Sequence, residues 1–419
     1  MERVNFKEKI FLFLLYTSLL IGFYFEENLN YGSYLDWVRA YNPVLEDFSK
    51  DFKNTLLEYD SYGQRHSPVY IIFLSIFLKL GLSFDFIRLI HLHISLSLIL
   101  IFYSCLKLKF KDTNRIILKI LALSIFLSPT FRSLAIWPDS RMPGLIFFIL
   151  SIYFFLKFLL SAKNQKKFAW YTLISIIISS YISPNFSLFF IFFIYHFFRK
   201  LNLQDFLLLI LFSFISSIPI IYYIFFLDIN FIMAGKTPLG SDGIATSLSF
   251  NISNKIIIIS SIILFHLIPV LYFLLDRKKM ISFFKKKMIF VLITYLILAN
   301  FFNYQLTFTG GGAFFQFSQI LFNNNLIFFI IGFFSFFIIV YLSTLHKDNF
   351  ILIFLLILSN LQNTIYHKYY EPLILIIIFI LFNNLDYKNF FSKKINLIYL
   401  YGFSFFYIFL RVFKNIYLI

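Results

Sequence analysis

The sequence predicts an all-α protein that crosses a membrane many times, and three observations predict it. First, 60% of the 419 residues are hydrophobic and 14% are charged, where soluble domains hold about 45–50% apolar and about 25% charged residues. Second, the apolar residues gather into runs close to the roughly 20 residues that a helix needs to span a bilayer. Third, the charges between the runs are sorted by sign. This balance excludes a soluble globular enzyme and a disordered chain. With 13 Gly against 64 Phe it also excludes collagen-like classes. A net charge of +17 would point to nucleic acid in a soluble protein, but in a membrane protein cations collect in cytoplasmic loops. Cys105 is the one cysteine, so no disulfide framework and no cysteine-based metal site exists.

The elements follow in order. Arg3, Lys7 and Lys9 precede the run 10–25. Bulky Phe23, Tyr24 and Phe25 stand where a signal peptidase needs small residues, so this is an uncleaved first span. A long polar loop, 26–66, comes next. Further spans are expected at 87–106, 116–131, 143–160, 168–182, 185–198, 205–227, 254–275, 288–302, 326–344, 349–361, 371–384 and 396–412, about 13 spans in all. The basic segments 3–9, 107–119, 157–167, 199–200, 277–287, Lys347 and 388–394, with their flanking acids, hold 24 Lys/Arg against 7 Asp/Glu. The intervening loops 26–66, 130–142, 183–186, 228–255, 303–325 and 362–371 hold 9 against 12. The first set is expected in the cytoplasm with the N-terminus, the second outside. An odd number of crossings must join loop 26–66 to the basic turn 107–119. The apolar segment 68–82 is therefore expected not to cross, but to lie as a juxtamembrane or re-entrant helix. Eight of the ten prolines fall in or beside the outer loops, which implies a folded, water-filled cavity there, since irregular backbone needs protein or water around it at membrane depth. No repeat and no soluble domain is visible, so residues 1–419 read as one integral-membrane domain.

The outer loops hold the residues that suit chemistry. Loop 26–66 carries 8 of the 20 acids, most of them a solvated face. Asp36 differs: it sits in the aromatic setting Tyr34-Leu35-Asp36-Trp37 just past the first span, where a carboxylate at the lip of an apolar cavity suits a general base. Glu26 and Glu27 are its substitutes. Asp139, in Trp137-Pro138-Asp139-Ser140-Arg141, opens a span; the alternatives are a helix cap or an ion pair with Arg141 and a polar role in a cavity. Arg65 and His66 precede Pro68 at a helix start, a natural anion site, or else lipid-headgroup contacts. His367-Lys368-Tyr369-Tyr370-Glu371-Pro372 has the same mix. Lys368, Tyr370 and Glu371 are candidate substrate contacts, with an internal Lys368–Glu371 salt bridge as the alternative. The glycine run Gly310-Gly311-Gly312 lacks the Lys and Ser/Thr of a phosphate-binding loop and reads as a flexible loop rather than a lid; loop 228–255, with Lys236, Asp242 and Gly243, is a second lid candidate. His91 and His93 point to different faces, and His196 and His266 stand alone, so no histidine-pair metal site is expected. Intramembrane acids are missing, against a proton-coupled transporter.

The order of these features resembles the GT-C glycosyltransferase superfamily, polytopic enzymes that use polyprenyl- or dolichyl-phosphate sugars. Arg65-His66-Ser67-Pro68-Val69-Tyr70 is similar to the family's His-Pro-Pro-Leu segment, with one Pro in place of two. Gly81-Leu82-Ser83 with Arg88 is similar to its Phe-Gly-x-Ser…Arg-Leu stretch. Ser128-Pro129…Trp137-Pro138-Asp139, opening a span that ends at Lys157, is similar to its second external Asp segment. About 13 spans and juxtamembrane helices in the first loop are similar to the aminoarabinose- and mannosyl-transferase branch. The resemblance covers residues 1–200, which it implies to be the catalytic half; 201–419 is a variable helical half without the large external C-terminal domain. It implies that Asp36 is the catalytic base and that Asp139 assists.

The expected function is therefore an inverting transfer of a sugar from a polyprenyl-phosphate donor to a glycan, lipid or protein acceptor at the outer face of a bacterial inner membrane. Arg65, His66, Arg141 and Lys368 would stabilise the departing phosphate; a divalent metal ion would be an additional aid. Neighbours would be membrane lipids and no nucleic acid. The rivals are a surface-polysaccharide polymerase or ligase, a lipid-linked glycan flippase, and a non-catalytic scaffold.

Overall fold

A computed structural model describes residues 6–30, 32–63, 66–229, 251–305, 310–360 and 362–417. These residues form helices joined by short turns, and their one β-feature is an isolated bridge between Gly310 and Ile365. In chain order the main helices are α1 (Phe6–Tyr24), α2 (Asn42–Lys50), α3 (Pro68–Lys79), α4 (Phe84–Lys109), α5 (Arg115–Leu123), α6 (Pro129–Ile136), α7 (Arg141–Leu160), α8 (Gln165–Ile182), α9 (Phe190–Lys200), α10 (Leu203–Ile221), α11 (Ile252–Leu274), α12 (Arg277–Asn300), α13 (Gly312–Phe322), α14 (Leu326–Leu345), α15 (Lys347–Leu358), α16 (Leu373–Ile380) and α17 (Lys394–Tyr417).

The all-α expectation holds, but helix length qualifies fewer spans than thirteen. Among the described residues, six helices are long and apolar enough to cross a membrane: α4, α7, α10 with its continuation to Phe226, α11, α14 and α17 to Ile416. A seventh arises if the pair 115–127 and 129–136, bent by 66°, is one broken span. Several expected spans are shorter. Helix α9 has 11 residues, α15 has 12 and α16 has 8. At about 1.5 Å per residue none reaches the roughly 30 Å of a hydrocarbon core. The apolar composition of these segments hid the breaks, which are made by local polar groups. At the bend, Pro129 supplies the first helical residue and the Ser128 hydroxyl accepts the Phe131 N–H at 3.0 Å, a helix start within an apolar run.

Helix α3 stops at Lys79, twelve residues from Pro68. It is about 18 Å long and folds back against the first turns of α4, where the Tyr70 hydroxyl bonds His91 Nδ1. Loop 26–66 is helical: a turn at Gly32–Leu35, a π-helical turn at Asp36–Tyr41 and α2. Trp37, Tyr41, Val44, Leu45 and Phe48 are buried in it.

Two close approaches fix the start of α7 against the end of α8 and the turn that follows it. A Cβ on Gly144 would meet the Ser183 Cβ at 2.6 Å, so α7 and α8 converge where only glycine fits. Behind them Phe148 stacks on Phe186 at 4.9 Å. The segment after α1 is joined to α6 by a half-buried ion pair. Arg132 donates to both Glu27 oxygens at 2.6 and 2.5 Å and to Ser18, and the Glu27 carbonyl accepts from the Trp137 indole at 2.9 Å. Arg88 lies over the Trp137 ring at 3.8 Å and bonds Asp85 at 2.9 Å, with Glu26 at 3.7 Å. Glu26 and Glu27 are thus structural. At the far end Lys109 donates to the Phe382 carbonyl at 2.7 Å, and the Asp386 N–H donates to the Leu274 carbonyl at 2.8 Å.

Arg132→Ala would leave the Glu27 carboxylate without its bidentate partner. Breaking such a pair costs about 3 kcal/mol or more. The expected outcome is a fall of several degrees in the apparent Tm of the detergent-solubilised protein; an unchanged Tm would mean that water already solvates this pair.

Candidate functional site

Among the described residues, loops 26–66, 130–142, 183–186, 303–325 and 362–371, which the charge pattern assigned to one side, converge around a cavity of about 1170 Å³. Its wall is built from both halves of the chain. The first half supplies Asp36, Arg39, His66 and Arg141, and the second supplies His367, Lys368, Tyr369, Arg411 and Lys414.

Asp36 opens the π-helical turn, with Trp37 behind it in the core, so its carboxylate faces the cavity. The Lys368 ammonium donates to Asp36 Oδ2 at 2.8 Å. This replaces the expected Lys368–Glu371 bridge. Glu371 turns the other way, into the interior, and accepts from the Thr130 hydroxyl at 2.8 Å; Thr130 in turn accepts from the Asn30 side chain at 2.9 Å. Tyr370 is also buried. Tyr370 and Glu371 therefore lie behind the wall, and neither lines the cavity.

Asp139 is fully buried beneath the same wall. Its Oδ1 accepts the Arg141 N–H at 2.8 Å and its Oδ2 lies 3.4 Å from the Arg141 guanidinium. The ion pair is thus realised; the N-cap position itself is held by Ser140, not Asp139. Burial would raise the Asp139 pKa, but Arg141, His66 and Lys368 outweigh it and hold the carboxyl well below the usual carboxylate range. Arg141 also lies over the Tyr369 ring at 4.4 Å and reaches its hydroxyl at 3.4 Å. His66 Nδ1 bonds the Ser140 hydroxyl at 3.2 Å, and Ser140 N–H donates to the Tyr41 hydroxyl at 2.8 Å. Burial lowers the His66 pKa; Asp139 opposes the shift and Arg141 adds to it. Arg65, the other cation of this segment, lies outside the described residues, as do Lys236, Asp242 and Gly243.

The geometry brings Asp36, His66 and Asp139 together, with one ligand atom of each within 4.8 Å of the others. That spacing suits a divalent cation. Both carboxylates already face a basic side chain, so an ion at this spot would have to displace Lys368 or Arg141.

The glycine run is docked rather than free. Gly310, Gly311 and Gly312 all have positive φ, which L side chains rarely adopt, and Gly311 N–H donates to the Ile365 carbonyl at 2.9 Å. The next N–H, of Ala313, donates to His367 Nε2 at 2.8 Å, and His367 Nδ1 meets His266 Nε2 at 3.2 Å. His266 is therefore paired, not alone. His196 is likewise within 3.3 Å of Asp348. Burial drives the His367 pKa down, and His266, Arg411 and Lys414 push it further.

Sequence reading missed Arg411 and Lys414, which looked like ordinary residues at the end of the last span. The signal was present: two cations three apart near a span end face one side of a helix. Arg411 Nε donates to the Tyr407 hydroxyl at 3.3 Å and Lys414 to Gln316 Oε1 at 2.8 Å. Beside them the wall turns apolar, through Phe317, Ile320 and Leu321 of α13 and Leu410 and Phe413 of α17. These five side chains are 39–62% exposed. The cavity thus joins a cation-rich polar floor to an apolar groove.

No protein-family model, curated protein or solved structure matches this chain.

His66 and His367, together with the other buried histidines, set a pH window. In the unfolded chain each takes a proton near pH 6.5, while folding lowers both pKa values. The unfolded state then binds more protons, so stability is full above about pH 6.5 and falls as pH drops below it. The Asp139 pair contributes its full stability above about pH 4 and loses it only below, so it does not blur this window. The expected outcome is an apparent Tm that falls between pH 7 and pH 5, with a flatter profile in His367→Gln. An identical profile in the variant would remove His367 from the account.

Proposed function

We propose that this chain is a multi-pass membrane glycosyltransferase. It moves a sugar from a polyprenyl-phosphate donor to a glycan, lipid or protein acceptor at the outer face of a bacterial inner membrane. The observation that carries the reading is the junction inside one cavity of a carboxylate, several cations and an exposed apolar groove. A lipid-linked sugar phosphate needs all three: a groove for the prenyl chain, positive charge for the phosphate, and a base for the incoming hydroxyl.

In this mechanism the acceptor hydroxyl oxygen attacks the anomeric carbon from the face opposite the phosphate. Asp36 takes the hydroxyl proton as the new carbon–oxygen bond forms. The bond from the anomeric carbon to the phosphate oxygen breaks and its electron pair leaves with the phosphate, so the sugar inverts. Lys368 rests on Asp36 at 2.8 Å. When donor phosphate enters, the flexible ammonium swings to it, which frees Asp36 to accept a proton and places positive charge on the leaving group. Asp139 holds Arg141 in position, and Arg411 and Lys414 meet the phosphate from the groove side. The finer topology belongs to the same reading: about 13 membrane segments, with α9, α15 and α16 as parts of broken spans around a water-filled cavity, and the cationic turns in the cytoplasm.

The cavity's cations also favour a second reading. Among the described residues, Arg39, Arg141, Lys368, Arg411 and Lys414 line it against a single lining acid, Asp36, a balance that suits a diphosphate. A surface-polysaccharide polymerase or ligase using polyprenyl-diphosphate oligosaccharides would need that charge.

Transfer from labelled polyprenyl-monophosphate sugars and polyprenyl-diphosphate oligosaccharides separates the two. Single-sugar transfer from the monophosphate is expected, with Asp36→Asn lowering kcat by about 10²- to 10⁴-fold and leaving KM nearly unchanged. Arg411→Ala with Lys414→Ala is expected to raise KM for the lipid donor. Activity with diphosphate donors alone would establish the second reading, and full activity in Asp36→Asn would remove Asp36 as base.

A further inference from the structure

We propose that the basic end of α12 is a binding site for an anionic phospholipid, separate from the cavity and independent of its chemistry. Helix α12 carries Arg277, Lys278, Lys279, Lys285, Lys286 and Lys287, all exposed. Asp276 is the one acid next to them in sequence. It caps the helix by accepting the Lys278 and Lys279 N–H groups at 3.0 and 3.2 Å, and it sits 3.7 Å from the Lys279 ammonium. Arg277 covers the Tyr272 ring at 3.8 Å. Among the described residues, Lys278, Lys285, Lys286 and Lys287 have no acidic partner. Cations in the first turn oppose the positive end of the helix dipole, and like charges three or four apart repel. The arrangement therefore lacks a compensating anion.

The lysines also frame a shape. Lys278, Ser282 and Lys286 repeat every four residues, as do Lys279, Phe283 and Lys287, so both rows share one face of the helix. With Tyr341 of α14 they wall a cavity of about 470 Å³. Its floor is aromatic, since Phe283 packs on Phe337 at 5.5 Å and on Tyr341 at 5.4 Å. Immediately beyond the lysines the helix exposes Ile289, Phe290, Ile293, Leu296 and Ile297, each more than half accessible, a strip about 12 Å long. Reading along α12, a cation-rimmed groove gives way to an apolar strip. A phospholipid has that layout, with an acidic headgroup followed by acyl chains. The Lys pairs on either side of Ser282 would hold the phosphate and the strip would take the chains. An acidic protein segment would use the lysines and leave the strip uncovered; a zwitterionic lipid would leave the charge uncompensated.

The site lies at the end of the bundle away from the cavity's loops. Arg277 lies three residues past Leu274, whose carbonyl accepts from Asp386, whereas the other end of α12 leads to Asn303, bonded to Asn254 near the start of α11.

Native mass spectrometry of the full chain in detergent, with added phosphatidylglycerol or phosphatidylcholine, tests this. Wild type is expected to retain phosphatidylglycerol under activation that strips phosphatidylcholine. Changing Lys278, Lys279, Lys286 and Lys287 together to Gln is expected to lower phosphatidylglycerol retention at least tenfold, while Lys→Arg at the same positions preserves it. Lys278→Gln with Lys286→Gln gives a milder variant whose apparent Tm checks folding. Lys163, Lys166 and Lys167 changed to Gln, at an exposed basic turn, should have no effect. Equal retention of both lipids by wild type, equal loss in the Lys163/Lys166/Lys167 variant, or binding of a polyglutamate peptide in preference to phosphatidylglycerol would overturn the proposal.

Discussion

The ion pair between Lys368 and Asp36 joins positions 332 residues apart, and the rest of the cavity is arranged around it. For the two to meet, the first loop must fold inward on Trp37 and Tyr41. The turn at His367–Tyr369 must also be clamped from behind. His367 does this through Ala313 and His266, so that its neighbours Lys368 and Tyr369 project forward, one to Asp36 and the other to Arg141. Three consecutive residues thus divide the work between anchoring and presenting charge. The glycine turn belongs to the same clamp. A Cβ on Gly310 would meet the Ile365 carbonyl oxygen at 2.5 Å, so only glycine lets the two strands of the clamp touch.

Charge explains how much of this was legible beforehand. Counting Lys and Arg per loop grouped the loops 26–66, 130–142 and 362–371, and these do converge. Asp36, His66, Arg141 and Lys368 were recognised because each is a polar residue stranded beside an apolar run, where solvation alone does not account for it. Glu371 met the same criterion but faces inward. Its neighbour Lys368 is drawn to Asp36, and Thr130 offers Glu371 a hydrogen bond from a segment 241 residues away. Pairing across that distance carries no local sequence signal.

Helix lengths were the least legible part. Hydropathy reports which residues avoid water, and the interior of a bundle avoids water as well as lipid does. Helix α16 shows the difference. Its segment Leu373–Ile380 is entirely apolar, yet seven of its eight residues are buried by other helices. In α10 and its continuation only 11% of the most apolar window is buried within the protein. The two sequences read alike and play opposite parts: one is core, the other is left uncovered by the rest of the protein. A count of apolar runs therefore overstates the number of full-length spans wherever a cavity interrupts the bundle.

The same reasoning bears on how the cavity stays open. A polar floor with Lys368, Arg141, Arg411 and Lys414 cannot be closed by apolar packing, because their charges would lose water without gaining partners. Each has been given an internal partner that keeps it extended: Asp36, Asp139, the Tyr407 hydroxyl and the Gln316 carbonyl oxygen respectively. For Arg411 and Lys414 these partners are neutral, so the local positive charge is retained and an entering anion gains the most there. For Lys368 and Arg141 the partners are carboxylates, so charge is held in reserve and released only if the pair opens. The groove side of the cavity is thereby set to attract, and the Asp36 side to respond. That asymmetry sets the unreserved positive charge beside the apolar groove between α13 and α17, and the paired charge at Asp36 and Asp139.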